Sequence, residues 1–273
     1  MSVPPALYSR LTRLIARNRH RRALSGLARG ARFYVDAYEN WSYDIHRNGE
    51  RRVLECLSAE GPRCILDAGA NVGEWTSIAR HLCPDAQIHS FEVVEQTAGE
   101  LRSRFAGEPH VTVVSTGLGK DQGEIAVKHY PESSEISGAV REYERAFELV
   151  SSPVQRGDAY CAEAGIDHID LLKIDVEGME YEVLLGFEEM LTNGAIGAVQ
   201  FEYGPECILT RRLLRDYYTF FSERNFEIGK IYPRGVEFRP YRFRDEDFRG
   251  PNYLAVHADK LELIERLRGK SRR

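Results

Sequence analysis

From Arg63 onward, short apolar runs alternate with stretches in which apolar residues recur every three or four positions. That alternation is the pattern of βα units feeding a parallel sheet. It predicts seven strands, at 64–67, 88–92, 111–115, 169–175, 198–202, 226–232 and 253–257. Between the third and fourth, 123–130 and 152–158 read as extended, with the polar stretch 131–137 between them. An inserted hairpin and loop over the site is the expectation. The whole reads as a doubly wound, seven-stranded α/β domain over 61–259. Upstream, Leu7, Leu11, Leu14, Ile15, Leu24 and Leu27 fall near helical spacing, so 5–31 is expected to form one or two amphipathic helices within a helical extension over 1–60. Downstream, 260–273 reads as a terminal helix running into a basic tail.

Composition narrows the class. A chain of 273 residues with 42% hydrophobic content can bury a sizeable core. Its five cysteines (Cys56, Cys64, Cys83, Cys161, Cys207) are an odd set without a CxxC pair. Reduced, mostly buried thiols fit that better than a disulfide framework or a zinc site, and the expected compartment is the cytoplasm. No apolar run approaches the ~20 residues of a membrane span, and no signal-peptide core follows the first methionine.

The net charge of −5 conceals an asymmetry, because the first 32 residues hold eight arginines and no acid. A helix packing on the domain or on a second subunit of a homo-oligomer accounts for such a segment. So does a peripheral dock for anionic lipid or a phosphorylated carrier. The acidic remainder lacks the basic stripe a nucleic acid requires, and no nucleic-acid partner is expected.

The first predicted strand runs into Asp67-Ala68-Gly69-Ala70-Asn71-Val72-Gly73-Glu74, followed by a helix with Trp75, Ile78, Ala79 and Leu82 on one face. Gly69 and Gly73 permit a tight strand-to-helix turn and let a ligand approach the backbone. Glu92 ends the second strand, placed to hold both hydroxyls of a ribose. A dinucleotide fingerprint would carry a second glycine where Asn71 stands. Asp67 and Glu74 would also repel a pyrophosphate, yet suit the ammonium and sulfonium of S-adenosylmethionine. The competing structural reading is a glycine turn with a solvated Glu92.

The fourth predicted strand ends in Leu172-Lys173-Ile174-Asp175-Val176-Glu177-Gly178-Met179-Glu180. Ligands of doubly wound sheets bind outside the carboxyl ends of the strands, so Asp67, Glu92, Asp175 and Glu202 are expected on one rim. Four carboxylates together require compensation by a sulfonium, a substrate hydroxyl, Lys173 or a divalent metal. Glu177 and Glu180 read as helix-capping acids in water.

These segments resemble the FkbM family of methyltransferases. The resemblance rests on D-x-G-A-N-x-G at 67–73, F-E at 91–92, G-L-G-x-x-x-G at 117–123, L-K-I-D-V-E-G-x-E at 172–180 and F-E-Y at 201–203, and it spans roughly 38–257. It implies a class I methyltransferase (Rossmann-like) fold, S-adenosylmethionine as methyl donor, and O-methylation of a sugar, glycan or natural product. By carry-over, Asp67, Gly69, Ala70, Asn71 and Gly73 hold the methionine end of the cofactor, Glu92 the ribose, and Thr116 and Gly117 the adenine edge. The family usually has alanine where Gly117 stands. Glu50 lies where many such enzymes lay a helix over the cofactor, and reads as a partner of the amino group or as a solvated acid. Asp175 and Glu202 are the candidate catalytic groups, as base or, by analogy with related O-methyltransferases, as ligands of Mg²⁺. His129 is the one histidine considered as a base, against the alternative of a surface histidine. The competing functions are a nicotinamide-dependent oxidoreductase and a non-catalytic cofactor-binding scaffold.

Overall fold

The computed structural model describes residues 4–268 except 142 and 251, so the last five residues of the basic tail lie outside it. The chain divides into two compact units, 1–41 and 42–273. The first contains α1 (Pro5–Arg17) and α2 (Arg22–Tyr38), so the one or two amphipathic helices expected over 5–31 are two, the second running on to Tyr38.

The second unit begins with α3 (Glu50–Ser58), which falls within the 1–60 span expected as a helical extension. It continues through β1 (Cys64–Ala68), α4 (Glu74–Leu82), β2 (Gln87–Phe91), α5 (Glu95–Arg104) and β3 (Val111–Val114). Next come β4 (Gly117–Leu118), β5 (Gly123–His129), β6 (Glu148–Gln155) and α6 (Gly157–Ala164). They are followed by β7 (Leu171–Ile174), α7 (Glu180–Gly186), α8 (Glu188–Thr192), β8 (Ala198–Glu202), α9 (Glu206–Thr210) and α10 (Leu214–Ser222). The unit closes with β9 (Phe226–Tyr232), β10 (Gly235–Phe238), β11 (Asn252–His257) and α11 (Leu261–Arg268).

The main sheet has the order β10-β9-β11-β8-β7-β1-β2-β3. Its strands are parallel except β11, which runs against both neighbours, and the edge strand β10. The chain starts at β1, steps outward to β3, then crosses to β7 on the other side. The strand order therefore reverses between β1 and β7, where a doubly wound sheet opens its crevice. The sheet has eight strands rather than the seven expected. β10 escaped notice because it is four residues long and follows Tyr232 after only Pro233 and Arg234, a stretch that reads as loop.

Both faces of the sheet are covered, and successive residues of each strand go to opposite sides. Leu66, Ala68, Leu172, Ile174, Val199 and Phe201 enter one core with Val183, Leu184 and Phe221. Ile65, Ile88, Leu171, Ala198 and Leu254 enter the other with Leu54, Trp75 and Ile264. The second face has a polar interruption near the carboxyl ends of its strands: Ser90, Asp67, Lys173 and Gln200 are successive register partners across β2, β1, β7 and β8, all buried.

The insert after β3 is a three-stranded sheet, with β5 and β6 forming the expected hairpin and β4 pairing parallel to β6. The five cysteines are free thiols, four of them buried. No helix among the described residues is long and apolar enough to cross a membrane.

Candidate active site

The turn after β1 is fixed by backbone geometry. The N–H groups of Gly69 and Ala70 both donate to the carbonyl of Phe91, at 3.0 and 2.9 Å, tying the loop to the end of β2. Gly69 has φ +84°, and a Cβ there would lie 1.7 Å from the carbonyl oxygen of Asp175. The glycine lets the two central strand ends close on each other, and Gly73, at φ +83°, precedes α4 in the same conformation. Gly69→Ala is therefore expected to strain the backbone and push β7 away, destabilising the protein by at least ~2 kcal/mol. A denaturant melt indistinguishable from wild type would contradict this close approach.

Glu92 follows β2 and is buried, its Oε2 accepting from the Asn71 N–H and its Oε1 from the Val94 N–H, both at 2.9 Å. Burial pushes its carboxyl above the ordinary value, and these hydrogen bonds only partly offset that. The carboxylate lines a cleft of ≈ 870 Å³, counted with its open mouth, together with Gly69, Asn71, Gly117 and Asp175. A solvated Glu92 is thus ruled out. The inserted sheet supplies the apolar wall through Ile125, Val127 and Val154, and 134–139 adds a polar strip. The Ser134 hydroxyl donates to Asn71 Oδ1 at 2.8 Å, joining insert to glycine loop. At Gly117 a Cβ would lie 2.9 Å from Val154 Cγ1 and 3.0 Å from Val93 Cγ2, so this wall is packed around glycine. Ile125, Val127 and Ser134 lie in the insert expected over the site and Leu118 in the G-L-G turn, whereas the part played by Val93, directly after Glu92, has no signal in the sequence.

Beneath the cleft the buried polar row carries the charge. Asp67 is fully enclosed, accepting from Thr76 Oγ1 at 2.7 Å and from Lys173 Nζ at 3.2 Å. Thr76 in turn lies 2.9 Å from the Ser90 hydroxyl. Lys173 Nζ also stands 3.3 Å from Asp175 Oδ2. Burial opposes the Lys173 charge, but Asp67, Asp175 and Glu50 outweigh it and hold the ammonium above its ordinary value. Glu50 is buried too, accepting from Asn48 Nδ2 at 2.6 Å and Gln200 Nε2 at 2.7 Å. It is neither solvated nor on the cleft lining.

Asp175, Glu177 and Glu202 each bring an oxygen within 4.8 Å of the others. Burial, then the charge of Asp175, pushes both Glu177 and Glu202 well above the carboxylate range. Glu202 also hydrogen-bonds Asp175. Glu180 is buried rather than in water, and burial raises its carboxyl to about 7 while its Oε1 accepts from the Val176 and Gly178 N–H groups. The tight turn after β7 thus replaces the solvated helix cap expected there.

Other expectations fall apart from the cleft. The Glu74 side chain is 70% exposed and faces His46 at 3.8 Å. Thr116 does not line the cleft, although Gly117 does. His129 is buried, not on the surface, with Nδ1 3.3 Å from the Ser137 hydroxyl.

A glycine loop at the switch point, an acid closing the second strand and a reversed strand inserted between the last two parallel ones define a class I methyltransferase. A model of the methyltransferase FkbM domain matches residues 67–228, and the chain belongs to that family, whose methyl donor is S-adenosylmethionine. The nicotinamide alternative falls away. Among curated relatives, the 2-O-methyltransferase NoeI of Sinorhizobium fredii is 28% identical over 204 residues, covering 68% of this chain and 81% of that protein. Methyltransferase 1 of Beauveria bassiana is 25% identical over 147 residues, 46% of this chain and 58% of that protein. Of solved structures, a methyltransferase FkbM from Methylobacillus flagellatus is similar at a TM-score of 0.46 and 15% identity, over 72% of this chain and 44% of its own.

Proposed function

We propose that the chain methylates a hydroxyl oxygen of a sugar, glycan or natural product, with Asp175 receiving the hydroxyl proton. The observation that carries this reading is the placement of Asp175. Its side chain is 38% exposed, it lines the cleft, and it is paired with Lys173 below and Glu202 beside it. The name of NoeI, a 2-O-methyltransferase, agrees with the choice of oxygen.

The cleft suits the donor by chemistry: a buried carboxylate for a diol, apolar walls for a purine, and acids rather than bases at the rim. When bound, the donor supplies a methyl group on a cationic sulfur. Gly69 and Asn71, which line the cleft, would support its amino-acid end and Glu92 its ribose, while Ala70 lies buried in the loop. Gly117, with Val93 and Val154, would border the adenine. The chain's remaining task is to align acceptor oxygen and methyl, which can lower the barrier by ~7–11 kcal/mol. As the new C–O bond forms and the C–S bond breaks, Asp175 takes the proton, contributing a further ~10²–10⁴-fold. Glu202 would act through its hydrogen bond to Asp175.

The three-oxygen cluster favours a second version of the same chemistry. Asp175, Glu177 and Glu202 are hard oxygen donors, a set suited to Mg²⁺, which would bind the acceptor oxygen and ease loss of its proton.

Glu92→Ala is expected to weaken S-adenosylmethionine binding about 10- to 150-fold, the equivalent of ~1.5–3 kcal/mol for charge-assisted hydrogen bonds. Unchanged affinity by calorimetry would place the ribose elsewhere. The reaction itself is tested with methyl-labelled donor and a panel of saccharides and hydroxylated natural products. Label recovered in an alkali-stable ether supports the reading; label on nitrogen or in an alkali-labile ester rejects it.

A further inference from the structure

The first unit presents two amphipathic helices whose apolar stripes are exposed, and every side chain from 6 to 17 is open to solvent. At about 100° per residue, Leu7, Tyr8, Leu11, Leu14 and Ile15 of α1 fall within roughly 120° of arc. Arg10, Arg13 and Arg17 group together on the flank of that stripe. In α2, Leu24, Leu27, Tyr34, Val35 and Tyr38 share an arc of about 100°, and Arg22, Arg29 and Arg32 lie off it. Leu27, Tyr34 and Tyr38 are each more than 60% exposed.

We propose that α1 and α2 form a peripheral membrane dock that lies in the plane of an anionic lipid surface, apolar stripes in the acyl boundary and arginines among the headgroups. Charge decides the occupant. Eight arginines precede the first acid of the chain, Asp36, so two copies brought together through these helices would oppose like charge with like. An anionic leaflet attracts every one of them. A nucleic acid would satisfy the arginines but leave the leucines and tyrosines in water. Aromatic rings with polar tips suit the headgroup level, and the helices are too short and too charged to span. This inference stands apart from the reading of the catalytic cleft, since all its residues precede Ser42.

The test is flotation of the full chain with vesicles of phosphatidylcholine alone and of phosphatidylcholine with roughly one quarter phosphatidylserine. Partitioning is expected only with phosphatidylserine, weakened at least ~10-fold at about 0.5 M salt. Each arginine near the surface contributes ~5-fold, so Arg10→Gln, Arg13→Gln, Arg17→Gln and Arg22→Gln combined should reduce partitioning by ~10²-fold or more. Leu11→Asp with Leu14→Asp should reduce it at least ~10-fold. Unchanged donor affinity in both variants shows that the second unit is still folded. No flotation, or equal flotation on both vesicles, overturns the proposal. So does a dimer of the wild type that the two aspartates dissociate, which would assign the stripe to a second copy. Loss of flotation to an equal charge of duplex RNA, with the aspartates having no effect on RNA binding, would assign the arginines to nucleic acid and likewise overturn it.

Discussion

Asp175→Asn is expected to lower kcat by at least ~10²-fold while changing affinity for S-adenosylmethionine little, because mainly the handling of charge in the transition state is lost. The substitution keeps volume and one oxygen, so the cleft wall survives. It removes the proposed acceptor of the hydroxyl proton and the charged partner of Lys173 at 3.3 Å. Rate and binding should therefore separate. A chelator divides the two versions of the mechanism. If Asp175 acts as the base, chelation leaves the wild-type rate unchanged; if it holds Mg²⁺ with Glu177 and Glu202, chelation reproduces the defect and added Mg²⁺ reverses it. Wild-type turnover by a folded Asp175→Asn protein, measured with a proven acceptor, would reduce Asp175 to a structural end of β7.

Lys173→Met should have the largest effect on stability, about 3–5 kcal/mol, because removing one member of a buried ion pair leaves its partner charged and enclosed. Asp67 is completely buried and would retain only the Thr76 hydroxyl as a side-chain donor. For a domain of this size that corresponds to a fall in Tm of roughly 10 °C. The double variant Lys173→Met with Asp67→Asn should recover part of the loss, since the orphaned charge is gone. A single-variant loss below about 1 kcal/mol, or strictly additive effects, would refute an electrostatic link between these residues.

Much of this site was legible in the chain because its parts are local. Asp67 to Gly73 and Leu172 to Glu180 each cross from strand to helix within a few residues, and the chemistry of the turn requires glycine and a strand-end acid at definite spacing. The state of the acids was not legible. Glu50 and Glu202 meet residues distant in sequence, Gln200 on Glu50 and Asp175 on Glu202, and spacing carries no trace of that; Glu180 is buried by a turn that folds its carboxylate back on the Val176 and Gly178 N–H groups. Glu74 shows the converse: it follows the loop directly, yet the first turn of α4 carries its side chain outward. β10 and the β4 pairing are too short to give a period, and only their partners define them.

The polar row across the sheet also bears on the order in which the molecule can assemble. Ser90, Asp67, Lys173 and Gln200 come from four strands, and the whole insert from Gly117 to Gln155 is synthesised between the second and third of these strands in chain order. Until β7 arrives, Asp67 has no cation and must stay hydrated, so β1 and β2 cannot finish closing on their own. Pairing of this kind between distant segments is slow, and donor recognition should be among the last properties a refolding chain acquires. In a stopped-flow experiment, donor binding should appear together with burial of Trp75, whose ring lies 5.6 Å from Lys173, and never before it.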